Sequence, residues 1–290
     1  FEALSYDSLC AAGRTELYPT VQTRCALLQS VGSILGYLAS LLTAVLPFRA
    51  YYLIDVGLSG LRSLAAGSLR EPVVTETQAA REAAETRALL ATLPRRLRAH
   101  VRETVRFLLG SPATTRLIFA NAVISLPCYL TLMFLQQRLS AAGLPTALLG
   151  LIVCLFELGR PVGSWLSLRV RPRRLVGLYA ACAALGGLCT VAAGLAPLPL
   201  AVLAGAGFAG CEMLWTLCSE RRLNDSFPSD QRATLVSVNS MVYSLLMIPV
   251  SPLTGLAGDL TGAPGAGLAL LGGGVLAAGI AARCWAKRPH

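Results

Sequence analysis

Charged residues are scarce in this sequence. Asp, Glu, Lys and Arg together make up 14% of the 290 residues, whereas 54% are hydrophobic. A water-soluble domain of this size would have difficulty burying so much apolar surface in one core. The composition therefore argues against an ordinary soluble globular domain and favours a membrane protein.

The residues that catalysis and metal binding use most are also few. Histidine occurs only as His100 and His290, the nine cysteines form no CxxC pair, and no GxxxxGKS or GxxxxGKT loop for ATP is present. Zinc sites and acid-base sites need clustered, oriented side chains. We therefore expect no enzymatic activity, no metal and no cofactor, and we interpret the cysteines as small apolar residues.

Lysine is nearly missing, since Lys287 is the only one, and arginine supplies almost all of the formal net charge of +10. The basic residues are spread along the chain. A nucleic-acid partner would require them to share one face or one tail. We therefore expect no nucleic-acid partner.

Long apolar runs are what the chain does contain. A helix needs about 20 residues to cross a bilayer, and eight runs of this kind recur. They cover residues 25–46, 50–69, 113–135, 147–168, 175–196, 198–219, 233–256 and 265–284. Residues 1–10 read as the end of a further helix. Because the chain opens at Phe1, we expect that it begins partway through a longer protein.

The segments between the runs alternate between rich and poor in arginine. The rich ones are 10–24, 70–112, 169–174, 220–232 and the C-terminus. Arg and Lys are retained on the cytoplasmic side of a membrane, so these segments are predicted to be cytoplasmic. Residues 70–112 mix Glu and Arg with Ala and Leu, which predicts a linker of amphipathic helices at the inner membrane surface. The linker separates the end of an N-terminal transmembrane bundle, 1–69, from a C-terminal bundle, 113–290.

Three local patterns accompany this arrangement. They are "EALSYDSLCAAGRTELYPTVQTR" near the start, "GSWLSLRVRPRR" after Gly163, and "LNDSFPSDQRATLVSVNSMVYSLLMIPVSPLTGLAGD" near the end. With a basic loop between two bundles, they make the chain resemble a bacterial branch of the major facilitator superfamily of secondary transporters. The resemblance implies an all-α membrane fold. It assigns the spans to helices five to twelve, a complete C-terminal six-helix bundle after the last part of an N-terminal one, with the first helices missing.

The resemblance also implies a function. It is that of a transporter which moves a small organic molecule across the cell (inner or plasma) membrane by alternating access, coupled to protons. Its partners would be the lipid bilayer, the substrate and the proton, and the chain would be a monomer. Efflux is suggested by the family branch alone, because "SVGSILGYLAS" lacks the proline of the drug-antiporter motif. The alternative is a truncated or transport-incompetent relative that acts as a membrane scaffold.

Three charged residues lie deep inside apolar runs. Glu157 and Arg160 belong to 147–168, and Glu212 belongs to 198–219. A charge near the bilayer centre costs at least about 2.5–3.5 kcal/mol, so it normally faces a partner or a water-filled cavity. Both runs pass from outside to inside, and at about 1.5 Å per residue Arg160 and Glu212 have nearly the same depth.

Two pairings of these charges are open. In the first, Arg160 pairs with Glu212 between helices eight and ten, which the resemblance makes neighbours. Glu157 is then free to carry protons, because a carboxyl group in a low-dielectric cavity takes up a proton more readily. In the second, Glu157 and Arg160 form an inert i, i+3 pair inside the bundle. All three residues are candidates for the proton pathway.

Further polar and aromatic residues are candidates for the substrate cavity. They are Glu2, Asn121, Trp215, Asn239 and Tyr243. Trp215 follows Glu212 by three residues and would offer its ring to an organic cation, or it would anchor the helix at the membrane interface. The other four would line the cavity, or they would bond one helix to another.

Prolines and charges interrupt other runs. Pro127, Pro249 and Pro252 predict kinks, which either bend during transport or are static. Asp55 and Arg62 lie on the sixth helix, peripheral by the resemblance, and we interpret them as structural charges that snorkel or pack against a neighbour. The glycine-rich "ALLGGGVLAAG" predicts close helix contact.

Overall fold

The computed structural model describes residues 2–39, 41, 47–68, 102, 106, 109–170, 175–226, 229–263 and 265–286. Within these ranges the regular structure is entirely helical, which confirms the all-α membrane fold. The helices are α1 Glu2–Ala11, α2 Tyr18–Ala39, α3 Phe48–Gly67, α4 Pro112–Ala141, α5 Thr146–Glu157, α6 Gly159–Arg169, α7 Leu175–Leu195, α8 Leu198–Ser226, α9 Ser229–Thr261 and α10 Ala266–Ala286. A 3₁₀ turn, Thr15–Leu17, precedes α2.

Six segments of the described chain are long and apolar enough to cross a membrane. They are Pro112–Ala141, Leu148–Arg169, Leu175–Leu195, Leu198–Asp225, Leu235–Thr261 and Ala266–Cys284. They coincide with the last six predicted runs. The described residues of the runs 25–46 and 50–69 lie mainly in α2 and α3, which are not among the six. In α3, Asp55 and Arg62 are both exposed, and such charges lower the mean hydropathy of a helix.

The predicted linker 70–112 lies outside the described residues except at 102, 106 and 109–112. Its amphipathic helices therefore stay a prediction, and so do the domain boundaries drawn from it. Helices on both sides of it are nevertheless in contact. The pairs are α2 with α5, α6 and α8, and α1 with α9.

The fourth predicted run is broken into two helices. α5 ends at Glu157 and α6 begins at Gly159. Pro161 has no N–H group, so it cannot donate to the carbonyl of Glu157 four residues earlier. By contrast, α4 continues through Pro127, and α9 continues through both of its prolines. Of these four prolines, only Pro161 lies at a helix interruption, and it is the one that was not predicted to kink a helix.

Glycines allow close approach at two helix crossings. α7 and α10 form the most extensive helix contact of the described chain. Gly187 of α7 lies against Gly272 of α10 there, which confirms the contact predicted from the glycine-rich stretch. At the second crossing, a Cβ atom on Gly159 or Gly163 of α6 would overlap a backbone carbonyl of α8. The axis of α6 can therefore lie close to α8 only because both residues are glycine.

We expect Gly163→Ala to destabilise the folded protein by about 1–3 kcal/mol, the usual cost of overpacking a tight contact. The added methyl would meet the carbonyl oxygen of Gly210, which is backbone and cannot rotate away. Thermal unfolding in detergent measures the effect. Gly177→Ala is the matched control, because Gly177 has open space around it. Equal unfolding midpoints for the two variants would contradict the close crossing.

Arg138, near the end of α4, binds the end of α7. Its Nη1 donates to the carbonyl of Ala193 at 2.7 Å, and its Nη2 donates to the carbonyl of Ala196 at 2.7 Å. The last carbonyls of a helix have no partner within the helix, and a cation there also matches the helix dipole. The single arginine of the segment 136–146, which is predicted to lie outside, thus stabilises the end of α7.

Candidate functional site

The three buried charges predicted from the sequence meet at one point. Arg160 Nε lies 3.1 Å from Glu157 Oε2, and Arg160 Nη1 lies 2.9 Å from Glu212 Oε2. The guanidinium therefore binds a carboxylate of its own broken span and a carboxylate of α8 at the same time. Two negative charges and one positive charge leave the cluster with a net charge of −1 when all three are ionised.

Both pairings that the sequence left open are thus present together. The pair of Arg160 with Glu212 is found, but the expectation that this pair leaves Glu157 without a partner is wrong. Arginine can make both contacts because its planar guanidinium carries five N–H donors in a fork. The prediction assumed that Arg160 pairs with only one carboxylate, and this assumption was wrong.

The local backbone explains why Arg160 can reach both carboxylates. Glu157 and Arg160 are three residues apart across the junction of α5 and α6, where Leu158 keeps helical backbone angles, so their side chains lie on the same face. Gly159 and Gly163 then allow α6 to approach α8 closely. As a result the arginine side chain extends toward Glu212 over a short distance.

Glu212 is held by more than the arginine. Its Oε1 accepts a hydrogen bond from Ser125 Oγ of α4 at 3.0 Å and one from Thr216 Oγ1 at 3.3 Å. The side chains of the two carboxylates are 7% and 9% exposed, whereas that of Arg160 is 27% exposed. The cluster is therefore enclosed around its acids and reached through its arginine. Tyr37 of α2, from the other side of the linker, lies within electrostatic reach of Glu157 and Arg160.

A second polar contact continues along α4. Asn121 Nδ2 donates to Asn239 Oδ1 of α9 at 3.3 Å. Asn121 lies four residues before Ser125, and therefore on the same face of α4 as the serine that binds Glu212. Asn121 Oδ1 is buried and accepts no hydrogen bond. The hydrogen bond between Asn121 and Asn239 joins α4 to α9, and it leaves Asn121 Oδ1 without a donor.

The remaining cavity candidates line different cavities, although Tyr243 lies within electrostatic reach of Glu212. Trp215 is 1% exposed and packs edge-on against Tyr179 of α7, with ring centroids 5.3 Å apart. It lines a crevice between α4, α7, α8 and α10, whereas Tyr243 lines a separate groove along α9. Of Glu2 only the backbone is described, at the start of α1. The prediction that its side chain contributes to the cavity lies outside the described residues.

A polar cluster that the sequence did not indicate lies near the end of α8, on the predicted cytoplasmic side. Arg221 Nε donates to Gln22 Oε1 of α2 at 3.0 Å, and Nη1 donates to the carbonyl of Ser167 of α6 at 3.0 Å. Nη2 donates to Thr23 Oγ1 at 3.0 Å and Ser167 Oγ at 3.1 Å, with a longer bond of 3.4 Å to the carbonyl of Pro19. One guanidinium thus joins α8 to helices on both sides of the linker.

Two further bonds extend this contact. Gln22 Nε2 donates to Glu220 Oε2 at 2.9 Å, and Asn224 Nδ2 donates to the hydroxyl of Tyr18 at 2.8 Å. The sequence interpretation missed the cluster because it ended the span at residue 219 and counted Arg221 as a loop residue, whereas α8 continues to Ser226. Its partners Gln22 and Ser167 carry no charge, so they gave no signal in a charge pattern.

Metal ligation has no structural basis in the part of the chain that is described. No group of three or more His, Cys, Asp or Glu side chains is placed there to hold a metal ion. The described residues thus offer a buried cluster of two carboxylates and one guanidinium, which is net negative when all three groups are ionised.

Comparison with known proteins adds one finding to this geometry. The family model described as Major Facilitator Superfamily matches residues 18–251, from the start of α2 into α9. No curated protein and no solved structure matches the chain.

Proposed function

The chain belongs to the major facilitator superfamily and is a multi-pass membrane transporter, and we propose that it moves a small organic molecule by alternating access, coupled to protons. The observation that carries this proposal is the arginine bound to two buried carboxylates.

The cluster of Glu157, Arg160 and Glu212 is one charge short of neutrality. Removing charge from water costs several kcal/mol per ion, and pairing repays the cost only where the charges balance. A net charge of −1 inside a membrane span therefore favours the binding of one proton or one cation. A site that gains a cation on one side of the membrane and loses it on the other supplies the coupling step of a secondary transporter.

Glu157 is the carboxylate that we assign to the proton. Glu212 accepts hydrogen bonds from Arg160, Ser125 and Thr216. Glu157 contacts Arg160 through Oε2. Protonating Glu157 therefore disturbs fewer contacts, and it leaves the pair of Arg160 with Glu212 intact and neutral.

The Arg221 cluster supports a state that is closed on the predicted cytoplasmic side. The guanidinium joins α8 to Gln22 and Thr23 of α2 and to Ser167 of α6. In alternating access the two bundles rock against each other, so contacts that join them at one side must separate when that side opens. We propose that the Arg221 bonds are made in the closed state and broken in the open one.

Reconstitution into proteoliposomes tests the proposed function. A pH-sensitive dye inside the vesicles reports proton movement when members of a panel of organic cations, sugars and organic acids are added. We expect at least one compound to drive proton flux above that of empty vesicles. Movement of the compound out against an inward proton gradient would indicate efflux. A panel that binds but moves no protons would reject proton coupling, and one that neither binds nor moves would favour the scaffold alternative.

We expect Arg221→Ala to open the cytoplasmic side. Losing net hydrogen bonds worth about 1.5 kcal/mol would raise the open population about tenfold. The maleimide labelling rate of Cys218, a buried residue of α8 three residues before Arg221, measures this population in a variant whose other cysteines are serine. Arg24→Ala is the matched control, because Arg24 is an exposed residue of α2 that makes none of the bonds of the Arg221 cluster. Equal labelling rates in the two variants would contradict the gate.

A further inference from the structure

A crevice separate from the charge cluster opens between α4, α7, α8 and α10. It has a volume of about 580 Å³. Most of its wall is apolar, and the lining includes Leu117, Phe119, Val123, Val176, Tyr179 and Trp215. The three residues of the charge cluster are not part of this lining. The crevice is therefore a second cavity, in a part of the C-terminal bundle that the proposed transport step does not use.

Positive charge is confined to one end of the crevice. Arg116 lies in the first turns of α4, and Arg222 lies near the end of α8. Both line the crevice, and both side chains are exposed. The arginine pattern predicts that these helix ends are cytoplasmic. The mouth of the crevice thus carries two arginines, and it is predicted to lie where lipid headgroups meet water.

The apolar wall of the crevice extends over much of one leaflet of a bilayer. From Arg116 at the mouth, its lining on α4 extends to Val123. At about 1.5 Å per residue, this stretch of the helix rises about 10 Å. One leaflet of the hydrocarbon core is about 15 Å thick, so the wall covers about two thirds of that leaflet. The apolar wall ends there at Val123, with Trp215 as the residue of α8 farthest from the mouth.

We propose that this crevice binds an anionic phospholipid of the cytoplasmic leaflet. The headgroup phosphate would bind Arg116 and Arg222, since guanidinium groups bind phosphate through paired hydrogen bonds. One acyl chain would pack along the apolar wall toward Trp215. Basic pockets between transmembrane helices on the cytoplasmic side are suited to such headgroups. A soluble anion would satisfy the arginines, but it would leave the apolar wall empty.

The lipid would act on the bundle as a ligand of its folded state. Any molecule that binds the folded form and not the unfolded form raises the apparent stability with its concentration. The bound acyl chain would contact four helices, among them α8, which carries Glu212. The inference extends beyond the proposed transport function, because binding needs neither a substrate nor a proton gradient.

Thermal unfolding in detergent tests the proposal. The purified protein is stripped of lipid, and phosphatidylglycerol or phosphatidylcholine with the same acyl chains is titrated in. We expect phosphatidylglycerol to raise the midpoint of unfolding more than phosphatidylcholine does. In the double variant Arg116→Gln, Arg222→Gln the apparent affinity for phosphatidylglycerol should fall about 30-fold, because both surface charges are lost.

A matched control removes two other arginines. Arg14 and Arg169 are exposed and lie in segments predicted to be cytoplasmic, but neither lines the crevice. Arg14→Gln with Arg169→Gln should keep the phosphatidylglycerol effect, and Ala120→Phe, which fills the apolar wall, should remove it while the arginines stay. Equal loss in control and test variants would overturn the proposal. Equal stabilisation by phosphatidylcholine, or by inorganic phosphate alone, would also overturn it.

Discussion

Replacing Arg160 with methionine is expected to abolish transport and to destabilise the folded protein by about 3–5 kcal/mol, the cost of leaving a buried charge without its partner. The substitution keeps much of the side-chain volume and removes the cation that contacts Glu157 Oε2 and Glu212 Oε2. Two carboxylates would then face each other inside the bundle. Chemical unfolding in detergent measures the stability, and the proteoliposome assay measures transport.

Two further variants separate charge from shape. Arg160→Lys keeps the positive charge but replaces the fork by a single ammonium group, so it should fall between wild type and Arg160→Met. The double variant Glu157→Gln, Glu212→Gln has no acid left in the cluster. Adding Arg160→Met to this double variant should change the free energy of unfolding very little. If Arg160→Met destabilises that background as much as it does wild type, the stability effect does not come from the ion pairs.

Replacing Glu157 with glutamine is expected to separate proton flux from substrate movement. Proton flux should fall by about 100-fold or more, within the range by which removal of a proton-transfer group slows a reaction. Exchange of labelled for unlabelled substrate, which needs no net proton movement, should continue. The reason is that Arg160 and Glu212 stay paired at 2.9 Å in this variant, so that the cluster becomes permanently neutral.

Glu212→Gln is the informative comparison, because it changes the other carboxylate by the same single atom. Glu212 accepts hydrogen bonds from α4 and α8 as well as from Arg160. Its loss should therefore lower stability and impair both proton flux and exchange. If Glu212→Gln stops only the proton flux and Glu157→Gln leaves it unchanged, the proton belongs to Glu212. If neither variant changes proton flux, the cluster is not the coupling site.

The position of the cluster along the membrane could be predicted, and its bonding could not. Arg160 and Glu212 were expected at the same depth because both runs cross in the same direction and a helix rises by a constant amount per residue. That Arg160 binds Glu212 while it also holds Glu157 depends on how closely α6 approaches α8, which Gly159 and Gly163 allow. Hydropathy along the chain does not show such a close crossing.

Residues without charge were the hardest to predict. Ser125 and Thr216 bind Glu212, yet hydroxyl groups are common in membrane helices and form no pattern by themselves. Gln22 and Ser167 were missed for the same reason. Their roles depend on which face of a helix meets which neighbour. That choice follows from helix rotation and crossing, and small residues such as Gly163 decide it through contacts that periodicity does not show.

The sequence by itself determined the helical class, the last six membrane spans and the family. Inside a bilayer every backbone polar group must be bonded within the protein, so each long apolar run has to be a helix. Only the tertiary structure decided that one arginine serves two acids, that Arg221 joins helices on both sides of the linker, and that Trp215 lies apart from Tyr243. Such contacts join residues far apart in the chain. They depend on distances of a few ångströms between helices, which no local pattern along the chain specifies.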